Sequence, residues 1–175
     1  MSHPLVFGLY GDRAAAAAGA SAARALGVDR GHLSIVARTH QDESALAEQV
    51  GGSPGAEIED SRPAARLGEL GAQILAAIAI VLPGIGPIVT AGPLGAELGE
   101  VAGHAAGDMA GVLRGCGLAA DRAEAWQHRI RSGAILLGVH VYGLDPQAVR
   151  AVLDRAGAEE TATGLWASGE RSASV

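Results

Sequence analysis

Glycine stands at every fourth position over one stretch of this chain: Gly95, Gly99, Gly103, Gly107, Gly111 and Gly115. An interior glycine costs a helix about 0.8 to 1 kcal/mol relative to alanine, so a helix carrying all six gives up on the order of 5 kcal/mol. Close approach of two backbones offsets such a cost through dispersion and Cα–H to carbonyl contacts. Four residues turn a helix by about 400°, so the row drifts by about 40° per step and one straight partner cannot cover it all. The row therefore predicts a helix from Leu94 to about Gly115. Part of its glycine surface should meet a neighbouring helix and the rest another element, in this chain or in a second copy.

The residues before that helix supply the neighbour. From Leu70 to Ala96 there is no charged side chain, and Pro83, Pro87 and Pro93 interrupt the run. A helix over 63–82, a turn built on Pro83, Gly84, Gly86 and Pro87, and the glycine-bearing helix make a helical hairpin over 62–120, each arm roughly 30 Å long. Glu69 and Pro83 enclose too few residues for a membrane span, which needs about 20. Weak, conditional membrane association of the 70–96 segment is one alternative reading, and a small-ligand or metal-binding protein using the space between hairpin and sheet is another. On the second arm Glu97, Glu100, His104 and Asp108 share one stripe, and carboxylates with imidazole at helical spacing are candidate metal ligands. The first arm offers no facing Glu-x-x-His, so the stripe is expected to be a solvated acidic face with no metal.

Both flanks alternate strand and helix. Leu5 to Tyr10 is a β-rich run, Asp12 caps an alanine-rich helix over Arg13 to Leu26 with Gly27 as its stop, and His32 to Thr39 alternates as a half-buried strand. Beyond the hairpin, Asp121 caps a helix that ends at Gly133, and Ala134 to Tyr142 is a strand with Ile135, Leu137, Val139 and Val141 on one face. Asp145-Pro146 then opens a helix closed by Gly157, before a last strand over Thr161 to Trp166. Residues 1–40 are thus one β-α-β half, 41–61 an acidic linker, 62–120 the inserted hairpin, 121–166 a helix and second β-α-β half, and 167–175 a tail. The two halves predict an α+β fold, a ferredoxin-like antiparallel four-stranded sheet with two helices on one face.

Composition narrows the function. Net charge is -6 and all 13 basic residues are arginine, which argues against a polyanion-binding surface. Aromatic residues make up only 3% of the chain, so the core is expected to rest on small aliphatic side chains and close backbone packing. The single cysteine, Cys116, cannot form an intrachain disulfide and is read as an apolar filler. Gly8 and Gly11 lack the spacing of a phosphate loop and are read as turn residues. His128 and His140 are expected in surface or satisfied-core roles, and Trp126 and Trp166 as anchors of the last helix and strand. No residue set specifies a reaction, so the expectation is a cytoplasmic, non-enzymatic protein without a cofactor whose partner is a second copy of itself.

The segments Leu5-Val-Phe-Gly-Leu-Tyr-Gly and His32-Leu-Ser-Ile-Val resemble the N-terminal half of the bacterial heat-induced general stress protein family, the YflT-like proteins. The stretch Leu82-Pro-Gly-Ile-Gly-Pro-Ile-Val-Thr-Ala-Gly-Pro93 is similar to the apolar Pro-Gly hairpin of that family's glycine-rich members, and likeness continues through Glu124-Ala-Trp-Gln-His-Arg-Ile-Arg-Ser-Gly133 and the strand after it. The resemblance spans most of Leu5 to Gly157. It implies a stress-associated protein with no assigned reaction, and it brings no catalytic residues with it.

Overall fold

The computed structural model describes residues 2–38, 78–82, 85–102 and 108–167. In chain order these form β1 (Ser2–Tyr10), α1 (Arg13–Ala25), a 3-10 turn (Arg30–His32), β2 (Leu33–Arg38), β3 (Ile78–Leu82), β4 (Gly86–Ala91) and α2 (Pro93–Ala102). There follow α3 (Met109–Gly115), α4 (Ala120–Arg131), β5 (Ile135–His140), α5 (Pro146–Arg155) and β6 (Glu160–Ala167). The strands make one six-stranded sheet in the order β3-β4-β2-β5-β1-β6, with every neighbouring pair antiparallel. The fold is mixed, with α-helices packed on an antiparallel sheet.

Local signals act as expected in both flanks. Asp12 accepts the Ala15 N–H at 2.9 Å and Asp145 accepts the Gln147 N–H at 3.0 Å, each satisfying an orphan donor of a first helical turn. Gly27, Gly133 and Gly157 stop α1, α4 and α5 with φ of +102°, +107° and +93°, a region that side chains disfavour. Asp121 does not cap α4: the N-cap is Ala119, two residues earlier and without a side-chain hydrogen bond, and Asp121 sits within the first turn of a helix that begins at Ala120.

The sheet is covered on both faces. On one, α1 and α5 enclose Val6, Tyr10, Leu33, Ile35, Ala37, Ile135, Leu137 and Val139. On the other, α2, α3 and α4 enclose Leu5, Phe7, Leu9, Val36, Ile80, Leu82, Ile88 and Leu136. Hence Leu33 to Ala37 are buried without exception, where a half-buried alternation was expected. Alternation assigns each residue to one core or the other, and neither face of β2 meets water.

The inserted region departs most from expectation. Ile78–Leu82 is a strand, where a helix was expected to run to Leu82, and it pairs with β4 from Ile78↔Thr90 to Leu82↔Gly86. An unbroken apolar run carries no period that separates a buried strand from a buried helix, and here the available partner, β2, decides. The chain reverses between Leu82 and Gly86, with Gly86 at φ +94° and the Ile85 N–H donating to the Leu82 carbonyl, while Pro83 and Gly84 of the expected turn lie outside the described residues. The hairpin extends the expected four strands to six. The long glycine-bearing helix is two helices, because Asp108 takes extended backbone (φ −134°, ψ 166°) and caps α3 by accepting the Gly111 N–H at 2.7 Å. The linker at 41–61, the arm at 63–77, Gly103, His104 and Gly107, and the tail from 168 lie outside the described residues.

Candidate functional site

The principal polar cluster among the described residues lies inside the α2–α4 face, at the end where β1 begins. Register puts it there. Leu5 stands opposite His140, His3 opposite Trp166, and Ser34 opposite Gly138, so the side chains of His3, Ser34, His140 and Trp166 emerge on one face of four successive strands. His140 and Ser34 are fully buried and His3 is 9% exposed.

A continuous hydrogen-bond chain joins them. His3 Nε2 and His140 Nδ1 are 3.0 Å apart, and His140 Nε2 and Ser34 Oγ are 2.9 Å apart. The Leu94 N–H in the first turn of α2 donates to Ser34 Oγ at 3.0 Å. Two proton arrangements satisfy this chain with neutral rings. Either Ser34 donates to His140 and His140 to His3, or the donations run in the opposite sense. Both tie β1, β5, β2 and α2 together through side chains.

Aromatic contacts carry the cluster outward. Trp166 meets His140 edge-on at 4.9 Å, Tyr142 lies 4.2 Å from His3, and His32 lies 4.5 Å from Tyr142. Tyr142 is 52% exposed, so the series runs from core to rim. Burial pushes the His140 imidazole down to about 4, and the neighbouring His3 and His32 add to the effect. His3 is lowered by burial, then by His32 and the amino terminus. Both shifts favour the neutral form of the pair.

A hydroxyl bonded to an imidazole that is oriented by a third group is also the order of a nucleophilic triad. Here Ser34 lies wholly inside the protein and its oxygen already receives the Leu94 N–H, so in this arrangement the group works as a joint between elements.

Residues singled out from the sequence lie elsewhere. Glu97 is half-buried and Glu100 exposed on α2, while Asp108 is a helix cap. The break at Asp108 removes the single straight stripe that would have lined them up, and His104 lies outside the described residues. Among the described residues no group of three or more histidine, cysteine or acidic side chains could hold a metal ion. Gly95 and Gly99 are buried, Gly111 is half-buried and Gly115 is exposed, while Gly103 and Gly107 lie outside the described residues. Cys116 is buried in the α2–α4 core, His128 is exposed, and Trp126 is buried with its indole N–H on Glu160 at 2.9 Å. Neither His3 nor Ser34 stood out in the sequence. The available signal was His140 on an otherwise apolar strand, since a buried imidazole needs partners. Comparison with family models, with curated proteins and with solved structures gives no match.

Proposed function

We propose that this chain is a non-enzymatic, stress-associated protein that associates with a second copy of itself through the edge of β3. The stress association rests on the sequence resemblance alone. The order β2-β5-β1-β6, with α1 and α5 on one face, supports a ferredoxin-like reading of the central strands, with β3 and β4 as an added hairpin. A cytoplasmic location belongs to the same reading. Among the described residues no helix is long and apolar enough to cross a membrane.

The observation that carries the self-association is β3 itself. It ends the sheet, pairs only with β4 among the described residues, and reads Ile-Ala-Ile-Val-Leu, with no charge, proline or glycine to discourage another strand. Leu82 turns its carbonyl inward to Ile85, and Pro87, which has no N–H, stands opposite Val81. Alternation along an antiparallel pair then directs the Ala79 and Val81 N–H groups away from β4. A second β3 related by a two-fold axis would pair antiparallel and continue the sheet, burying both edges at once. Gly95 is already occupied within the chain, against Thr90, so at that point the glycine row is not available to a second copy. The apolar segment is likewise occupied: Ile80, Leu82, Ile88 and Val89 are buried in the two cores, which favours self-association over membrane insertion.

Light scattering after size exclusion tests the reading. Wild type should elute without detergent at the mass of a dimer or a multiple of it. Ala79→Pro, which removes one outward donor, should shift the mass to one chain with an unchanged circular dichroism spectrum. A wild type of single-chain mass at high concentration, or a folded Ala79→Pro that keeps the wild-type mass, would refute it.

A further inference from the structure

The geometry points to a second property, independent of self-association: we propose that the His3–His140–Ser34 chain is an acid-operated joint that holds one end of the sheet to α2 at neutral pH and opens when the histidine pair takes up protons.

Geometry limits what the pair can accommodate. With both rings neutral, each hydrogen bond has one donor and one acceptor. With one ring cationic the bonds can persist, but a charge then lies in an apolar core. With both cationic, two N–H groups face each other across the 3.0 Å between His3 Nε2 and His140 Nδ1, and no acceptor remains. Relief then requires water at the pair. The route for water is the rim, where His3 is 9% exposed and Tyr142 covers it. Opening there removes His140 from Ser34, the side chain that receives the Leu94 N–H in the first turn of α2.

The groups around the pair reinforce this response. His32 faces it from the 3-10 turn through Tyr142, and the amino terminus acts on His3 from the start of β1. From the other elements come the neutral Ser34 of β2, Trp166 of β6 and the Leu94 N–H of α2. His32 acts on both imidazoles and the amino terminus on His3, each opposing protonation of the pair in the folded state.

The sign follows from linkage. The folded His140 titrates near 4 and the unfolded one near 6.5, so its contribution to stability is complete above 6.5 and is lost as pH falls towards 4. Over that window the folding equilibrium constant should drop by about a hundredfold or more from this group alone.

Equilibrium denaturation of the full chain from pH 7.5 to 4, compared with His140→Gln and His3→Gln, provides the test. Glutamine keeps a donor and an acceptor but cannot ionise in this range. Wild type should lose about a hundredfold more in folding constant than His140→Gln between pH 6.5 and 4, with His3→Gln intermediate. Parallel losses in all three would overturn the proposal. Ring resonances of His140 in folded wild type give an answer that needs no variant. A midpoint well below 6.5, reached together with loss of the Leu94 amide environment, is expected, and an ordinary midpoint with that environment unchanged would refute the joint.

Discussion

Helices α1 and α2 reach opposite faces of the sheet, each through a glycine, and the two contacts differ in what lies across from them. At Gly19 of α1, a β-carbon would stand 2.1 Å from the Tyr10 hydroxyl oxygen and 2.7 Å from its ring carbon Cζ. The same ring leaves no room at Gly8, where a β-carbon would stand 2.9 Å from Cε2. Tyr10 thus fills the volume of two absent side chains, fully buried, with its hydroxyl directed at the Leu153 carbonyl of α5. At Gly95 of α2, the β-carbon would stand 2.9 Å from Thr90 Oγ1 and 3.3 Å from Cγ2. Thr90 Oγ1 has no hydrogen-bond partner among the described residues, so turning that side chain breaks no hydrogen bond there. A rigid ring faces one glycine and a rotatable hydroxyl the other. What stands opposite a glycine, rather than its place in a periodic row, decides how much it matters.

That contrast orders the expected effects of substitution. Gly19→Ala should be the most damaging: overpacking costs about 1 to 3 kcal/mol, only partly offset by a propensity gain of up to about 1 kcal/mol. At about 2 to 4 °C per kcal/mol for a chain of this size, the melting temperature should fall by several degrees. No fall would mean that α1 does not rest on the ring. Adding Tyr10→Phe removes the nearest atom but leaves Cζ at 2.7 Å, so it should return part of the loss, visible as a coupling of about 0.5 kcal/mol or more in a double-mutant cycle. Strict additivity would separate the two residues. Gly95→Ala should have the smallest effect, from neutral to a gain of about 1 kcal/mol, because Thr90 can turn while the helix gains propensity. A loss as large as that of Gly19→Ala would show that the two contacts are alike.

The same contrast explains which parts of the fold were legible in the sequence. Around β1, α1, β5 and α5, short-range chemistry and tertiary packing agree: Asp12 and Asp145 cap, Gly27 and Gly157 stop, and Ile135, Leu137, Val139 and Val141 alternate onto one core. Between Ile78 and Val89 no polar residue marks a period, so the choice of strand over helix lies in the pairing with β2, which is remote in sequence. The glycine row was visible, yet Gly19, hidden in an alanine run, makes a tighter contact than Gly95 or Gly111. The histidine pair was the least legible feature. His3 and His140 are 137 positions apart, and only the register of β1 against β5 brings them together.

With Gly95 occupied inside the chain, the proposed contact with a second copy shifts from the glycine row to the edge of β3. Amide hydrogen exchange of β3, followed from low to high protein concentration, tests that most directly. Ile80, whose N–H is directed at β4, should exchange at one rate throughout, whereas Ala79 and Val81 should slow progressively as their N–H groups find a second strand. Equal, concentration-independent exchange at all three positions, with a single-chain mass throughout, would contradict pairing at this edge.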